Sequence, residues 1–189
     1  MPVASGIGGG SSDAAAALRA ARTLFALEIS DAELARRAGE LGADLPVCIG
    51  ARAALMAGAG EQVSPVALAP LDAVLVNPGV QLSTAAVYRR YDEIGQFGSL
   101  ELASLQHARN DLEPAACDLA PAVGAALETL RTDARVALAR MSGSGATCFG
   151  LVADRAAALG LAETLKAAHP AWWVQPARLG DVDVTPRGG

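Results

Sequence analysis

The chain has 189 residues, of which 52% are hydrophobic and only 4% aromatic, so its apolar mass consists mainly of alanine, leucine and valine. A chain of this length buries roughly 70% of its unfolded surface, enough for one domain or two small ones, which argues against a disordered protein. The net charge of -5 and the absence of a basic run also argue against nucleic acid as a partner.

The sequence carries no signal for a membrane or an oxidising compartment. No apolar run reaches the roughly 18 residues that a spanning helix needs, and no basic segment precedes an apolar one at the N-terminus. The three cysteines, Cys48, Cys117 and Cys148, are widely spaced and odd in number. We therefore expect a cytoplasmic protein without a membrane partner, and buried reduced thiols in place of a disulfide framework or zinc site.

The first predicted element is a glycine loop followed by a helix. Glycine dominates residues 6–10, and alanine takes over after Ser12 and Asp13, so backbone freedom gives way to helix propensity. The helix is predicted to end near Ala26 or Leu27. Its apolar face recurs at i, i+3, i+4 and i+7 and continues by one turn, and it comprises Ala14, Ala17, Leu18, Ala21 and Phe25.

A second helix follows at once. Ser30 and Glu33 have the spacing of a capping box, and Gly42 provides a stop after Leu41. A short loop carries Asp44. The stretches VCIGARAALMA and EQVSPV then predict a pair of strands separated by glycines.

The second half of the chain predicts an alternation of strands and helices. A buried strand from Ala73 ends at Asn77, Ser83 or Thr84 caps the next helix, and a later helix breaks at Pro121. The remaining elements are a polar loop over 95–104, helices over 113–130 and 155–168, strands over 136–141, 146–153 and 172–179, and a frayed tail over 181–189. This order predicts the α+β class, with a domain boundary near residue 70.

The glycine loop has the features of a phosphate site. A loop that opens a helix presents free backbone N–H groups at the positive end of the helix dipole. The hydroxyls of Ser11 and Ser12 can add hydrogen bonds or reach a phosphate-bound Mg²⁺. An ordinary turn with Ser12 or Asp13 as N-cap explains the same residues nearly as well. A Walker-type loop is excluded because the only lysine is Lys166, and a dinucleotide fingerprint is excluded because Ser11 replaces its third glycine.

The loop PVASGIGGGSSDAAAALRA resembles the ATP-binding motif of the GHMP kinase superfamily of small-molecule kinases. Supporting segments occur in the family's order, namely GADLPVCI, NPGV, NDLE, MSGSGATCFG and WWV. The loop alone is a weak signal, and the ordered set is a strong one. The resemblance implies a two-domain α+β fold, with residues 1–70 as an incomplete N-terminal domain carrying the ATP loop and residues 71–189 as the C-terminal domain.

The resemblance also implies roles for individual residues. Asp44 matches the family's catalytic aspartate, which accepts or orients the proton of the substrate hydroxyl, although a local turn explains it too. A further set holds the ATP phosphates, with Ser12 also at Mg²⁺: Gly6, Gly8, Gly9, Gly10, Ser11 and Ser12. A last set contacts the substrate, although a hairpin turn and a helix N-cap are the alternatives for it: Gly143, Ser144, Gly145 and Asn110.

The motif GGGSSDAAA is similar to the corresponding motif of the family member that phosphorylates a cytidine-diphosphate-linked alcohol in the synthesis of isoprenoid precursors. The family's chain normally has a sizeable segment before the loop, with a catalytic lysine and the cytosine site, whereas here the loop arrives at residue 6. We therefore expect impaired activity and self-association through an exposed sheet edge. The alternatives are another kinase of the family, such as one acting on homoserine, a non-catalytic nucleotide-binding remnant, or a purely structural domain.

Overall fold

The computed structural model describes residues 6–58, 60, 62–95 and 109–180. The predicted tail over 181–189 and most of the predicted loop over 95–104 lie outside the described residues. The helices are α1 (Gly9–Leu24), α2 (Asp31–Gly39), α3 (Leu45–Gly50), α4 (Thr84–Ile94), α5 (Glu113–Leu119), α6 (Pro121–Thr132) and α7 (Arg155–Ala168). The strands are β1 (Ala54–Ala57), β2 (Gln62–Pro65), β3 (Leu71–Asn77), β4 (Val136–Met141), β5 (Cys148–Val152) and β6 (Trp173–Leu179).

The chain divides into two compact units. Unit 1 comprises Met1–Ile7 and Leu71–Leu179, and unit 2 comprises Gly8–Pro70 and Gly180–Gly189. The predicted division into domains 1–70 and 71–189 remains a prediction, since the units assign the two ends of the chain differently. None of the described helices has the length and apolar character that crossing a membrane requires.

Unit 1 is built on a four-stranded antiparallel sheet with the strand order β4-β5-β3-β6. The central strand β3 buries Val74 and Val76 completely. Helices α6 and α7 pack on the sheet and bury Leu127 and Leu161 against it. Each such side chain stabilises the fold by about 1.5–3 kcal/mol relative to exposure, so this layer is the main core of the unit.

Unit 2 has a smaller core and a two-stranded hairpin. Ala15 of α1 packs with Leu34 of α2 and Ile49 of α3, and all three are buried. Strands β1 and β2 pair antiparallel, with Ala54 opposite Pro65. The predicted strand pair is therefore present, but its first strand is shorter than expected.

The segment Leu45–Gly50 corrects the sequence prediction, because it forms helix α3 and not the start of a strand. Val47 and Ile49 are β-branched and favour a strand by propensity. Pro46, however, lies in the first turn of the helix, where its missing N–H leaves no hydrogen bond unmade. The packing of Ile49 into the core of unit 2 then overrides the propensity.

Helix α1 also departs from the prediction. It begins at Gly9, inside the expected loop, and buries Ala15, whereas Ala14 and Ala17 of the predicted apolar face are exposed. Phe25, expected on that face, is 67% exposed. Alanine on every side of the helix gives too little contrast for periodicity to identify the buried face, so contacts with α3 decide it.

Two predicted helix starts and one predicted break are present, whereas α2 ends at Gly39, ahead of the predicted stop at Gly42. The Ser30 hydroxyl accepts a hydrogen bond from the Glu33 N–H at 3.2 Å, and the Ser83 hydroxyl accepts one from the Ala86 N–H at 3.4 Å. The predicted break at Pro121 separates α5 from α6. Of the three cysteines, all free thiols, Cys148 alone is fully buried, so the prediction of buried thiols is wrong for the other two.

Candidate active site

The N-terminus of α1 is open and uncapped. Gly8 precedes it in the left-handed conformation (φ 66°), and no side chain caps the helix. The first intrahelical bond runs from the Ser12 N–H to the Gly8 carbonyl at 2.9 Å. The N–H groups of Gly9, Gly10 and Ser11 therefore precede the hydrogen-bonded ladder, and no acidic residue occupies the first turn. This end of unit 2 offers an anion several donors and an uncompensated helix dipole.

Helix α3 connects Ser12 to Asp44. The Ser12 Oγ lies 3.9 Å from the Cys48 Sγ, and the Cys48 N–H donates to the Asp44 carbonyl at 3.2 Å. Asp44 thus lies one turn ahead of the point where Ser12 contacts α3. The Asp44 side chain is exposed and forms no capping bond with α3. The described contacts therefore do not include the local turn hydrogen bond that was the alternative to a catalytic role for Asp44.

Arg19 of α1 forms hydrogen bonds with the backbone of α3. Its Nη1 donates to the carbonyls of Cys48 at 2.8 Å and Ile49 at 3.4 Å, at the C-terminal end of α3. A guanidinium at this end satisfies orphan carbonyls and complements the helix dipole. Sequence reasoning missed this residue, because an arginine on an alanine-rich helix is typical of a solvated face.

The segment Ser142–Gly145 forms a tight turn in unit 1. The Ser142 N–H donates to the Thr147 carbonyl and the Gly145 N–H donates to the Ser142 carbonyl, both at 2.9 Å. Gly143 (φ 52°) and Gly145 (φ 87°) adopt the positive φ that the hairpin alternative requires. Among the described residues, the N–H groups of Gly143 and Ser144 have no hydrogen-bond partner. The turn therefore keeps two backbone donors available.

The Ser144 side chain points into unit 1. The residue is only 9% exposed, and its Oγ lies 2.9 Å from the Thr84 Oγ1 at the start of α4. Its hydroxyl is thus committed within the protein, which leaves the backbone as the part of Ser144 suited to a ligand. Thr84 was predicted only as a helix cap, and its contact with the turn had no signal in the sequence.

Gly6 packs directly on this turn. The Ser142 Oγ donates to the Gly6 carbonyl at 2.9 Å. A Cβ on Gly6 (φ 70°) would lie 2.3 Å from the Gly145 carbonyl oxygen, so only glycine fits. The structure therefore places Gly6 with the turn of unit 1, whereas Gly8 to Ser12 of the same predicted loop belong to unit 2.

Asn110 holds the turn from the other side. Its Nδ2 donates to the Met141 carbonyl at 2.9 Å and to the Gly143 carbonyl at 2.7 Å, and its Oδ1 accepts from the Leu112 N–H at 3.0 Å. Both ends of the amide are thus used in fixing backbone. The structure presents Asn110 as a positioning residue for the turn. The last of these bonds is a local turn bond just before α5, and not the predicted N-cap bond, because Leu112 is the N-cap and α5 has no side-chain cap.

Asn77 performs a similar task at the end of β3 and was also missed. It is 2% exposed, its Nδ2 donates to the Thr147 Oγ1 at 3.0 Å, and its Oδ1 accepts from the Gly79 N–H at 2.9 Å. A buried amide needs such partners to avoid a desolvation penalty. The bond ties the end of β3 to the residue that closes the glycine turn.

Comparison with known proteins places these features in a family. The family model for the GHMP kinases N terminal domain matches residues 1–52, and the GHMP kinases C terminal model matches residues 85–171. The chain belongs to the GHMP kinase family. Membership confirms the α+β GHMP kinase-like fold that the ordered motifs predicted.

Individual relatives in the GHMP kinase family share one name. The chain is 49% identical to the 4-diphosphocytidyl-2-C-methyl-D-erythritol kinase of Methylobacterium radiotolerans, over 93% of this chain and 66% of that protein. It is 46% identical to the Caulobacter vibrioides (strain NA1000 / CB15N) protein of that name, over 95% of this chain and 67% of the relative. The chain thus spans about two thirds of the length of these relatives.

Solved structures of GHMP kinases agree with the fold. A crystal structure of 4-(cytidine 5'-diphospho)-2C-methyl-D-erythritol kinase matches with a TM-score of 0.82 and 32% identity, over 96% of this chain and 69% of that one. The L. major mevalonate kinase in complex with R-mevalonate matches with a TM-score of 0.65 and 18% identity, over 90% of this chain and 65% of that one. The second match, at this identity, shows the fold alone.

Proposed function

We propose that the chain is an ATP-dependent kinase that phosphorylates the 2-hydroxyl of 4-diphosphocytidyl-2-C-methyl-D-erythritol in non-mevalonate isoprenoid precursor synthesis, and that it acts in the cytoplasm. The observation that carries this proposal is the 46–49% identity to relatives of that name over 93–95% of the chain. The open N-terminus of α1 supports it, because phosphoryl transfer depends on donors that hold the phosphates in place.

The ATP phosphates are assigned to the loop and the start of α1. Gly8, Gly9, Gly10 and Ser11 supply backbone N–H groups, and the absence of any atom within 4 Å of a Cβ on Gly8 or Gly10 leaves space for an anion. Mg²⁺ fits the exposed Ser12 hydroxyl, since this ion commonly takes one or two protein oxygens together with phosphate oxygens and water. The ion, when bound, neutralises charge on the phosphates.

Asp44 is assigned the proton of the substrate hydroxyl. Its carboxylate is exposed, lies beside the helix that Ser12 contacts, and is unoccupied by any described capping bond. Accepting or orienting that proton contributes roughly 10²–10⁴-fold in rate. The free N–H groups of Gly143 and Ser144 are assigned to the substrate, and Asn110 supports them by fixing the Gly143 carbonyl.

The test is ADP release by the 189-residue chain with ATP, Mg²⁺ and 4-diphosphocytidyl-2-C-methyl-D-erythritol. Asp44→Ala and Asp44→Asn should lower turnover by about 10²-fold or more while leaving ATP affinity nearly unchanged. Glu163→Gln on α7, an exposed carboxylate in the other unit, is the matched control and should match the wild type. Equal turnover in Asp44→Ala and the control would refute the assigned role.

ADP release together with calorimetric ATP binding separates the alternatives. Preference for homoserine over the cytidine-linked alcohol would favour another kinase of the family. ATP binding by calorimetry without ADP release would favour a non-catalytic nucleotide-binding remnant. Loss of ATP binding in Ser11→Ala and Ser12→Ala chains would place the nucleotide at α1, and a wild type without ATP affinity would refute the nucleotide site altogether.

We also propose that the chain self-associates. In unit 2, Leu24 is 77% exposed and Leu41 is 74% exposed. Leu27 and Leu41 line one shallow apolar groove, and the hairpin β1–β2 has two edge strands in the described part of the unit. Exposed edges and apolar side chains both favour pairing between copies. Light scattering across a dilution series should show a concentration-dependent mass, and a constant monomer mass would refute the idea.

A further inference from the structure

Unit 2 contains a cavity beside α1 and α3, which we call the α1–α3 groove. It has a volume of about 400 Å³, within the range of about 300–1,000 Å³ of small-molecule sites. Four of its lining residues have side chains that can form hydrogen bonds: Ser12 and Arg19 of α1, Cys48 of α3, and Arg52 just after α3. All the lining residues belong to unit 2, so the groove is a feature of that unit alone.

Neither arginine of the α1–α3 groove is neutralised by an acidic side chain. Arg52 is exposed and has no hydrogen bond or ion pair with any residue in the described part of the chain. The Arg19 side chain bonds only to the carbonyls of Cys48 and Ile49. A helix C-terminus carries about half a negative charge, so these bonds compensate Arg19 only in part. No described residue that lines the groove is acidic, and the groove therefore favours an anion.

The two guanidinium groups keep many donors available. Each has five N–H donors in a planar fork. Arg19 uses only its Nη1 within the described residues, so its Nε and Nη2 keep three N–H donors, and Arg52 keeps all five. The bonds to α3 hold the partly buried Arg19 in place, which lowers the entropy that it loses when an anion binds. Guanidinium groups bind phosphate oxygens in pairs, and this geometry favours phosphate.

The rest of the α1–α3 groove is largely apolar. Half-buried side chains of small to medium size line it, namely Val47, Ala51, Ala53 and Leu68. A hydrocarbon group laid on this wall removes apolar surface from water, at about 25 cal/mol for each Å². An inorganic anion gains nothing from the wall. The groove thus combines anion donors with a surface for a compact apolar group.

We propose that the α1–α3 groove binds a small phosphate monoester, with its phosphate on Arg19 and Arg52 and a compact hydrocarbon group against Val47 and Leu68. Such a phosphate carries a charge of about −1.5 to −2 at pH 7, which suits two guanidinium groups better than a single carboxylate does. The site assigned to ATP uses backbone N–H groups at the start of α1. Arg19 lies seven residues beyond Ser12, about 10 Å further along the helix. The proposal does not depend on kinase activity, so binding is measurable in a chain without turnover.

The test is a calorimetric titration of the 189-residue chain with phenyl phosphate in the absence of nucleotide. Arg52→Gln should weaken binding about three- to tenfold, since the lost pair is exposed. Arg52→Lys keeps the charge without the planar fork, so its affinity should lie between those of the wild type and Arg52→Gln. Arg19→Gln should weaken binding by about tenfold or more, because Arg19 is partly buried and held in place. Arg89→Gln is the matched control, an exposed arginine of unit 1 without a described partner, and should bind like the wild type.

Cys48 provides a second readout inside the α1–α3 groove. Its thiol is partly exposed, and its Sγ lies 3.9 Å from the Ser12 Oγ. A ligand in the groove covers this thiol, so saturating phenyl phosphate should slow its alkylation by iodoacetamide at least threefold, as followed by peptide mapping. Cys117, a partly exposed thiol of unit 1, is the internal control and should be alkylated at an unchanged rate.

Several results would overturn the proposal. Without binding of phenyl phosphate, or without protection of Cys48, the groove is not a site for this ligand. An affinity that Arg52→Gln and Arg19→Gln both leave unchanged would place the ligand elsewhere, for example at the start of α1. Equal affinities for phenyl phosphate and inorganic phosphate would refute the role of the apolar wall, and equal affinity for benzoate would refute the preference for phosphate. Arg52→Gln guards against a folding artefact, since the Arg52 side chain is exposed and no described contact is lost.

Discussion

Replacing Gly6 with alanine is expected to destabilise unit 1 far more than the same change at Gly95. The two glycines have nearly equal backbone angles, φ 70° and φ 66°, and both belong to unit 1. The left-handed conformation alone disfavours alanine by about 1–2 kcal/mol at either position. A Cβ on Gly95 meets no atom within 4 Å, whereas a Cβ on Gly6 lies 2.3 Å from a backbone oxygen that cannot rotate away.

The additional loss at Gly6 follows from the contacts that must separate. Relieving the clash moves Gly6 off the turn and breaks its hydrogen bond with Ser142, worth about 1 kcal/mol, together with the packing around it. We expect about 3 kcal/mol for Gly6→Ala against about 1 kcal/mol for Gly95→Ala. With a urea m-value of about 2 kcal/mol/M, the unfolding midpoints fall by about 1.5 M and 0.5 M.

Tryptophan fluorescence suits this measurement. The chain has two tryptophans, Trp172 and Trp173, and both belong to unit 1. Their emission therefore follows the unfolding of the unit that contains Gly6 and Gly95, without a signal from tryptophans in unit 2. Equal midpoint shifts for the two variants would show that a Cβ on Gly6 does not clash with the Gly145 carbonyl oxygen, and would refute the prediction.

Three further predictions concern single side chains. Asn110→Ala removes the amide that fixes the glycine turn, so the tryptophan-monitored midpoint should fall by the equivalent of about 2–3 kcal/mol, and no shift would contradict its positioning role. Hydrogen bonds from Arg36 and then Arg37 hold the pKa of Glu33 at about 2, below its ordinary 4.5. The stabilisation is therefore present above pH 4.5 and is lost as the pH falls toward 2, and circular dichroism of Glu33→Gln across that range should show a weaker pH dependence than the wild type. Burial raises the pKa of Cys148 to about 12, so iodoacetamide at about pH 8 should label this thiol only in urea, and peptide mapping that finds native labelling would contradict its burial.

Local chemistry explains which elements could be predicted from the sequence. Ser30, Ser83 and Pro121 act on backbone within a few residues of themselves, so their helix starts and the break were visible without tertiary information. Helix α3 was not, because Val47 and Ile49 favour a strand by propensity and the packing of Ile49 decides their conformation. The buried face of α1 failed for the related reason that alanine occurs on all its sides.

The features of the candidate site also fall into those that a local sequence pattern predicts and those that depend on distant contacts. Uncapped N–H groups at the start of α1 follow from a glycine loop ahead of an alanine-rich helix, and the sequence predicted them. The assignment of Gly6 to the turn of unit 1 depends on a contact 136 residues away, which no local pattern reports. Asn110 was ambiguous because an amide carries both donors and acceptors, and only the positions of the two carbonyls show how it uses them.

The long separation between Gly6 and Ser142 has a consequence for synthesis on the ribosome. Gly6 leaves the ribosome before its hydrogen-bond partner Ser142, which is translated 136 residues later. At about 5–20 residues per second, that interval is roughly 7–27 s. During this time Gly6 lacks the Ser142 side chain to which its carbonyl is hydrogen-bonded in the folded chain. Gly6 can therefore reach its native position only after Ser142 has been made, and a chaperone that binds the segment around Gly6 has that interval in which to act.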